Sequence, residues 1–229
     1  MIMPKAFIFD LDGVITDTAE LHYQAWKRLA DSLGITIDRE FNEELKGVGR
    51  MESLEKILAL DSNQSDLSLE RKEALATEKN DHYVDLLGTI SEDDILPGIT
   101  DLLATIRQQG IKVGLGSASK NATHVLKELK LIDQFDYIVD AAQVSKGKPD
   151  PETFTNAADY FGVDYVECIG IEDAPSGVTA VNSAGMFSVG VGTAEALSHA
   201  DYRVDDTTEL DFDEIIQAYQ SFGVSAKAE

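Results

Sequence analysis

After Pro97 the chain settles into an alternation that leaves few choices of fold. A helical pattern over 98–110 leads into the apolar run IKVGLGS, one over 120–130 into DYIVD, one over 150–162 into ECIGIED, and one over 175–185 into SVGVG; DYRVD and a closing helix follow. Strands separated by single helices pair in parallel and are joined by right-handed crossovers, which predicts a doubly wound α/β sheet. One more strand belongs with these, over 5–10, where AFIF is apolar throughout and so implies cover on both faces. Between that strand and the rest, residues 17–87 read as helix. Leu21, Ala25, Leu29 and Leu33 make one stripe with Trp26 beside it, and MESLEKILAL and LERKEALATEKNDHYVDLL repeat the pattern. The expected architecture is a Rossmann-like parallel-sheet core built from 1–16 and 92–229, with a helical cap domain inserted over 17–91.

Charge narrows the partners. The chain carries 42 acidic and 19 basic residues, a net charge of −23, which repels nucleic acid and anionic membrane surfaces. Any phosphate it binds needs local positive charge. A single cysteine, Cys168, lies in the apolar run VECIGI, so no internal disulfide forms, and the residue reads as a buried thiol rather than a nucleophile. The opening MIMPKAFIFDLD runs into acids too early for a signal peptide, and no apolar run is long enough to span a bilayer. A cytoplasmic, monomeric protein is expected.

In an open parallel sheet, ligands bind beyond the carboxyl ends of the strands. Strand one delivers Asp10 and Asp12, IKVGLGS delivers Ser117, and CIGIED delivers Glu172 and Asp173; Lys148 lies between them in SKGKPDP. Residues i and i+2 of an extended segment share a face, so Asp10 and Asp12 can converge on one ligand. Gathered carboxylates repel one another and drift toward protonation, a conflict that a hard divalent cation removes. Asp10, Glu172 and Asp173, with a backbone oxygen near Asp12, suit magnesium. Ser117 and the N–H groups of a helix starting just after it can hold phosphate oxygens, although alone Ser117 reads as an ordinary N-cap. Lys148 can offset charge on a transferring phosphoryl group. Together these residues describe one reaction. Asp10 attacks phosphorus to give an aspartyl phosphate, and Asp12 protonates the leaving oxygen, then deprotonates the incoming one.

FDLDGVITDTAELH, GSASKN, KGKPDP and GIEDAPSG resemble, in that order, the four motifs of the haloacid dehalogenase superfamily, and the resemblance covers essentially the whole chain. Within it, TDTAELHYQAW, LKGVGRMESL and EKNDHYV are similar to the β-phosphoglucomutase family. That resemblance implies interconversion of β-D-glucose 1-phosphate and glucose 6-phosphate through a bound β-glucose 1,6-bisphosphate, with Mg2+ as cofactor and hexose phosphates as the small-molecule partners. It implies that His22 and Trp26 approach the sugar, and that Arg50 holds the phosphate not being transferred, with Lys46, Gly47, Val48 and Ser53 in support. Lys79 and Asn80 become further contacts, and Thr18 falls where the family has a residue near Asp12. Ser117, Ala118, Ser119, Lys120, Asn121 and Lys148 would hold the transferring phosphate. Arginine suits the distal end because its guanidinium grips a phosphate bidentately. Two departures are visible: Gly49 stands where the family often has serine, and Ala174-Pro175-Ser176 follows the acidic pair in wording also found in phosphatases.

Two other readings share these motifs. A sugar-phosphate phosphatase would keep the same core and let water attack the aspartyl phosphate. A phospho-switch of the response-regulator kind also combines acids, a lysine and a hydroxyl. There, however, the acidic pair follows strand one and the phosphorylated aspartate comes later, whereas here the candidate nucleophile is on strand one.

Overall fold

In chain order the elements are β1 (Ala6–Phe9); helices α1 (Ala19–Ser32), α2 (Arg39–Glu43), α3 (Arg50–Leu58) and α4 (Leu69–Leu87); then α5 (Ile99–Gln108), β2 (Lys112–Leu115), α6 (Ala122–Glu128), β3 (Tyr137–Ile138), α7 (Glu152–Phe161), β4 (Cys168–Glu172), α8 (Pro175–Ser183), β5 (Phe187–Val191), β6 (Tyr202–Val204) and α9 (Phe212–Ser225). The structure is a computed structural model and describes residues 3–45, 48–64 and 67–225. It divides into two compact units, Met1–Asp17 with Ser91–Glu229, and Thr18–Ile90.

The first unit holds one six-stranded sheet in the order β3-β2-β1-β4-β5-β6, every pairing parallel. The inner strands are apolar because both faces are covered. All residues of β1, β4 and β5 are buried, including Phe7, Ile8, Phe9, Ile169 and Val189. β1 is central, with Ala6 opposite Lys112 on one side and Cys168 on the other. Strand order therefore reverses at β1, between β2 and β4, and such a switch point opens a crevice beyond the strands' carboxyl ends. The ladder runs one step past the strands there: Asp10 N–H donates to the Ile171 carbonyl at 2.9 Å, and Gly116 N–H to the Phe9 carbonyl at 2.8 Å. These bonds hold the first residues after β1 and β2 against the sheet. Cys168 is buried, and its thiol is pushed up to about 12 by that burial and by the acids Glu167 and Asp164.

The second unit is helical. Its core joins Tyr23, Trp26 and Leu29 of α1 to Leu54 and Ile57 of α3 and Leu75 of α4. The buried face of α1 is Tyr23, Ala25, Trp26, Leu29 and Ala30, while Leu21 and Leu33, the ends of the expected stripe, are only half-buried. The aromatics at 23 and 26 have more apolar surface to bury than the leucines, and they turn the helix toward themselves. The short α2 has a capping reason: the Asp38 carboxylate accepts the Phe41 N–H at 2.8 Å. Among the described residues, no helix is long and apolar enough to cross a membrane.

Candidate active site

The switch point gathers Asp10 from the end of β1 with Glu172 and Asp173 from the end of β4. One carboxylate oxygen of each lies within 4.8 Å of the others. Lys148 reaches in from the β3–α7 connection. Its Nζ donates to Asp10 Oδ1 at 2.7 Å and to Glu172 Oε1, and it lies 5.2 Å from the centre of the Phe154 ring. All three partners are removed from water, with the Lys148 side chain 2% exposed and that of Glu172 1%. Burial works against the ammonium of Lys148, but Asp10 and Glu172 outweigh it and hold its pKa well above the usual lysine range. Glu172 is raised above the carboxylate range by burial first and by Asp10 second. Asp173 is pushed up to about 8 by burial, then by Asp10, Glu172 and Asp12.

Two glycines make room for this cluster. A Cβ on Gly177, in the first turns of α8, would lie 1.9 Å from the Glu172 carboxyl carbon. One on Gly13 would lie 2.1 Å from Asp173 Oδ2, and Gly13 also has φ +78°, which favours glycine on backbone grounds. The second Glu172 oxygen accepts the N–H groups of Asp173 at 3.2 Å and Ala174 at 3.3 Å, so the carboxylate is fixed at the start of α8. Sequence reasoning passed over both glycines. The signal is present in DLDG and PSG, but Gly13 after Asp12 reads first as a turn, and Gly177 reads as one more residue of a helix.

The donor set fits magnesium: three converging carboxylates with hard oxygens, whose combined charge the single Lys148 ammonium does not balance. Asp12 stands outside this trio. Its residue is half-buried and bridges to Thr16, whose hydroxyl donates to the Asp94 carbonyl at 2.7 Å.

The β2–α6 connection differs from expectation. The helix begins at Ala122 rather than directly after Ser117. Ser117 is 3% exposed and its Oγ accepts the Ser119 N–H at 3.1 Å, while Ser119 Oγ accepts the Asn121 N–H at 3.2 Å. Serine hydroxyls satisfy a local backbone turn more readily than they wait four residues for a helix, so the GSASKN stretch is a chain of small turns. Ala118, Ser119 and Asn121 are half-buried and Lys120 is exposed.

In the helical unit, the expected sugar-contacting residues form a second cluster. Lys79, 4% exposed, lies with Nζ 2.9 Å from His22 Nδ1, 4.6 Å from the Trp26 ring centre and 4.8 Å from that of Tyr83. The His22 and Tyr83 rings stack at 4.0 Å, and the Tyr83 hydroxyl donates to buried Thr18 Oγ1 at 3.3 Å. Burial, then Lys79 and Arg50, hold His22 well below its ordinary pKa. A neutral ring facing an ammonium must accept at Nδ1, which leaves the proton on Nε2 as a donor. Arg50 opens α3 and is half-buried; burial lowers its pKa and Asp81 opposes that. Ser53 is buried, and Val48 and Asn80 are half-buried. Lys46 and Gly47 lie outside the described residues. Tyr83 was not among the expected contacts, because its role depends on the pairing of α1 with α4, which a single stretch of sequence does not show.

A parallel sheet with carboxylates at its switch point, a buried lysine and an acidic trio defines an α/β phosphoryl-transfer protein, and the family model of the haloacid dehalogenase-like hydrolases matches residues 4–185. The chain belongs to that family. It is 43% identical to the β-phosphoglucomutase of Bacillus subtilis over 96% of this chain and 97% of that protein. A crystal structure of β-phosphoglucomutase from Clostridium difficile superposes with a TM-score of 0.94 at 51% identity, covering 97% of this chain and all of the other. A fructose-1-phosphate phosphatase of Escherichia coli is 34% identical over 80% of this chain and 94% of that protein.

Proposed function

We propose that the chain is an isomerase interconverting β-D-glucose 1-phosphate and glucose 6-phosphate by way of an aspartyl phosphate and β-glucose 1,6-bisphosphate. The observation that carries this reading is likeness along nearly the full length to two β-phosphoglucomutases, at 43% and 51% identity, against 34% over a shorter span for the phosphatase. The residues gathered at the switch point support this chemistry. Asp10, fixed through Oδ1 by Lys148, attacks phosphorus as the bond to the sugar oxygen breaks. Asp12 gives its proton to that oxygen, then takes one from the next sugar hydroxyl as it accepts the phosphoryl group back from Asp10. Lys148 stays beside the transferring oxygens and offsets their charge. Bound at Asp10, Glu172 and Asp173, with a backbone oxygen near Asp12, magnesium would supply charge neutralisation that lets a carboxylate approach an anionic phosphate. Ser117 through Asn121 contribute hydroxyl and N–H groups to the transferring phosphate.

In the same reading His22 donates through Nε2 to the sugar, Trp26 borders it, and Arg50 grips the other phosphate with Lys46, Gly47, Val48 and Ser53. Lys79, Asn80 and Thr18 complete the set. A cytoplasmic, monomeric enzyme belongs to this proposal. The test is a coupled assay with β-glucose 1-phosphate and a trace of bisphosphate. Glucose 6-phosphate should accumulate, and release of glucose and inorganic phosphate in its place would assign the phosphatase activity.

A further inference from the structure

Lys148 has to deliver its ammonium between two buried carboxylates, yet it sits on a connection with no helix or strand of its own between β3 and α7. A lysine carries four flexible carbons, so its reach is only as well defined as the backbone it hangs from. That backbone is closed on itself by Glu152. The Glu152 carboxylate accepts the Ser145 N–H at 2.7 Å, the Ser145 hydroxyl at 2.6 Å and the Lys146 N–H at 2.8 Å. Inside this clasp, Asp150 N–H donates to the Gly147 carbonyl at 3.1 Å, and Glu152 N–H to Asp150 Oδ1 at 3.1 Å. Lys148 lies within the ring these bonds close. Ser145, Lys146 and Gly147 are exposed, so little burial holds them. Glu152 belongs to the first turn of α7, and α7 buries Thr153, Phe154, Ala157 and Ala158 in the core. The clasp thus ties an exposed segment to a rigid element.

We propose that Glu152 is the positioning residue for Lys148: by drawing Ser145 and Lys146 onto the first turn of α7, it sets the reach of the Lys148 ammonium to Asp10 and Glu172. The consequence for rate rests on the phosphoryl-transfer reading above, whereas the consequence for the placement of Lys148 does not. Misplacing a reacting group by about 1 Å can cost about 10²-fold in rate, which sets the scale for removing the clasp.

The experiment compares Glu152→Ala, Glu152→Gln, Lys148→Ala and both double variants with wild type. One readout is the rate at which acetyl phosphate phosphorylates the protein in Mg2+. The other is acylation of individual lysines by an amine-reactive ester, followed by mass spectrometry. Glu152→Ala should label about 10–100-fold more slowly, and Glu152→Gln should fall between it and wild type, since a neutral acceptor makes weaker hydrogen bonds. Neither change should slow the Lys148→Ala protein further, because a residue acting through Lys148 has nothing left to act on. Lys148 should be acylated faster in Glu152→Ala than in wild type, while exposed Lys112 reacts alike in both. Losses that multiply with Lys148→Ala, or a Lys148 equally protected in both proteins, would overturn the proposal. If Glu152→Ala does not fold, the Gln variant and its double variant decide the question. Wild-type protein that takes no phosphate from acetyl phosphate would sink the phosphoryl-transfer reading, and acylation of Lys148 would still decide the positioning claim.

Discussion

Asp173 is held where its carboxylate is poorly solvated and faces Asp10, Glu172 and Asp12, and its pKa of about 8 has a thermodynamic consequence. An unfolded aspartate titrates at about 3.9. Between the two values the folded state binds more protons than the unfolded state, so the stability this group contributes is full below about pH 4 and is lost as pH rises through about 8. A cation at the trio offsets that loss. Thermal melts in Mg2+ and in EDTA should therefore differ more at pH 9 than at pH 6, and Asp173→Asn should flatten the dependence in EDTA; equal Mg2+ gains at both pH values would contradict the linkage. Asp12 makes a contrasting case, because its carboxylate is not among the three that converge. Asp12→Asn should cut turnover about 10²–10⁴-fold while Mg2+ affinity, measured by calorimetry, stays near wild type. Asp10→Asn should abolish labelling by acetyl phosphate. Asp10, Glu172 and Asp173 were legible in sequence because strand ends in an alternating pattern have only one place to go, whereas Lys148, in a loop between β3 and α7, stood out only beside the other motifs. Glu152 was not legible, since its partners lie six and seven residues back in a segment without periodicity.

At the scale of elements, α8 couples a packing requirement to the site. Gly177 is helical, and in an ordinary helix alanine would be the better residue by about 1 kcal/mol. Here the added methyl would meet the Glu172 carboxyl group, which Lys148 and two N–H groups hold in place. Gly177→Ala should displace that carboxylate and weaken Mg2+ binding about 10–100-fold, the usual scale for disturbing a group behind a metal ligand. Unchanged affinity would show that the carboxylate has room to move. The same scale explains what the sequence left obscure in the helical unit. The run of α1 was plain from its periodicity, but not which stripe is buried. The choice between leucines and aromatics depends on α4, which brings Leu75, Lys79 and Tyr83 against it.

At the scale of the whole molecule, the two units divide the proposed work. The phosphoryl transfer is assigned to residues at the strand ends of the sheet, and recognition of the distal phosphate to Arg50 on α3. Arg50→Ala should therefore depress interconversion of the hexose phosphates far more than hydrolysis of acetyl phosphate, which has no distal phosphate to hold. Parallel losses in the two assays would remove Arg50 from that role. The arrangement of the sheet also bears on how the chain is made. β1 leaves the ribosome ahead of both strands it pairs with, and its registered neighbours, Lys112 beside Ala6 and Cys168 on its other flank, are translated more than a hundred residues later. A nascent AFIF segment thus waits, unpaired on both edges until β2 is made and on one edge until β4 is made, while the helical unit between can already gather its own apolar core. The strand that carries the proposed nucleophile is made ahead of its partners and enclosed late, which places the hazard of aggregation in the interval before Cys168 is translated.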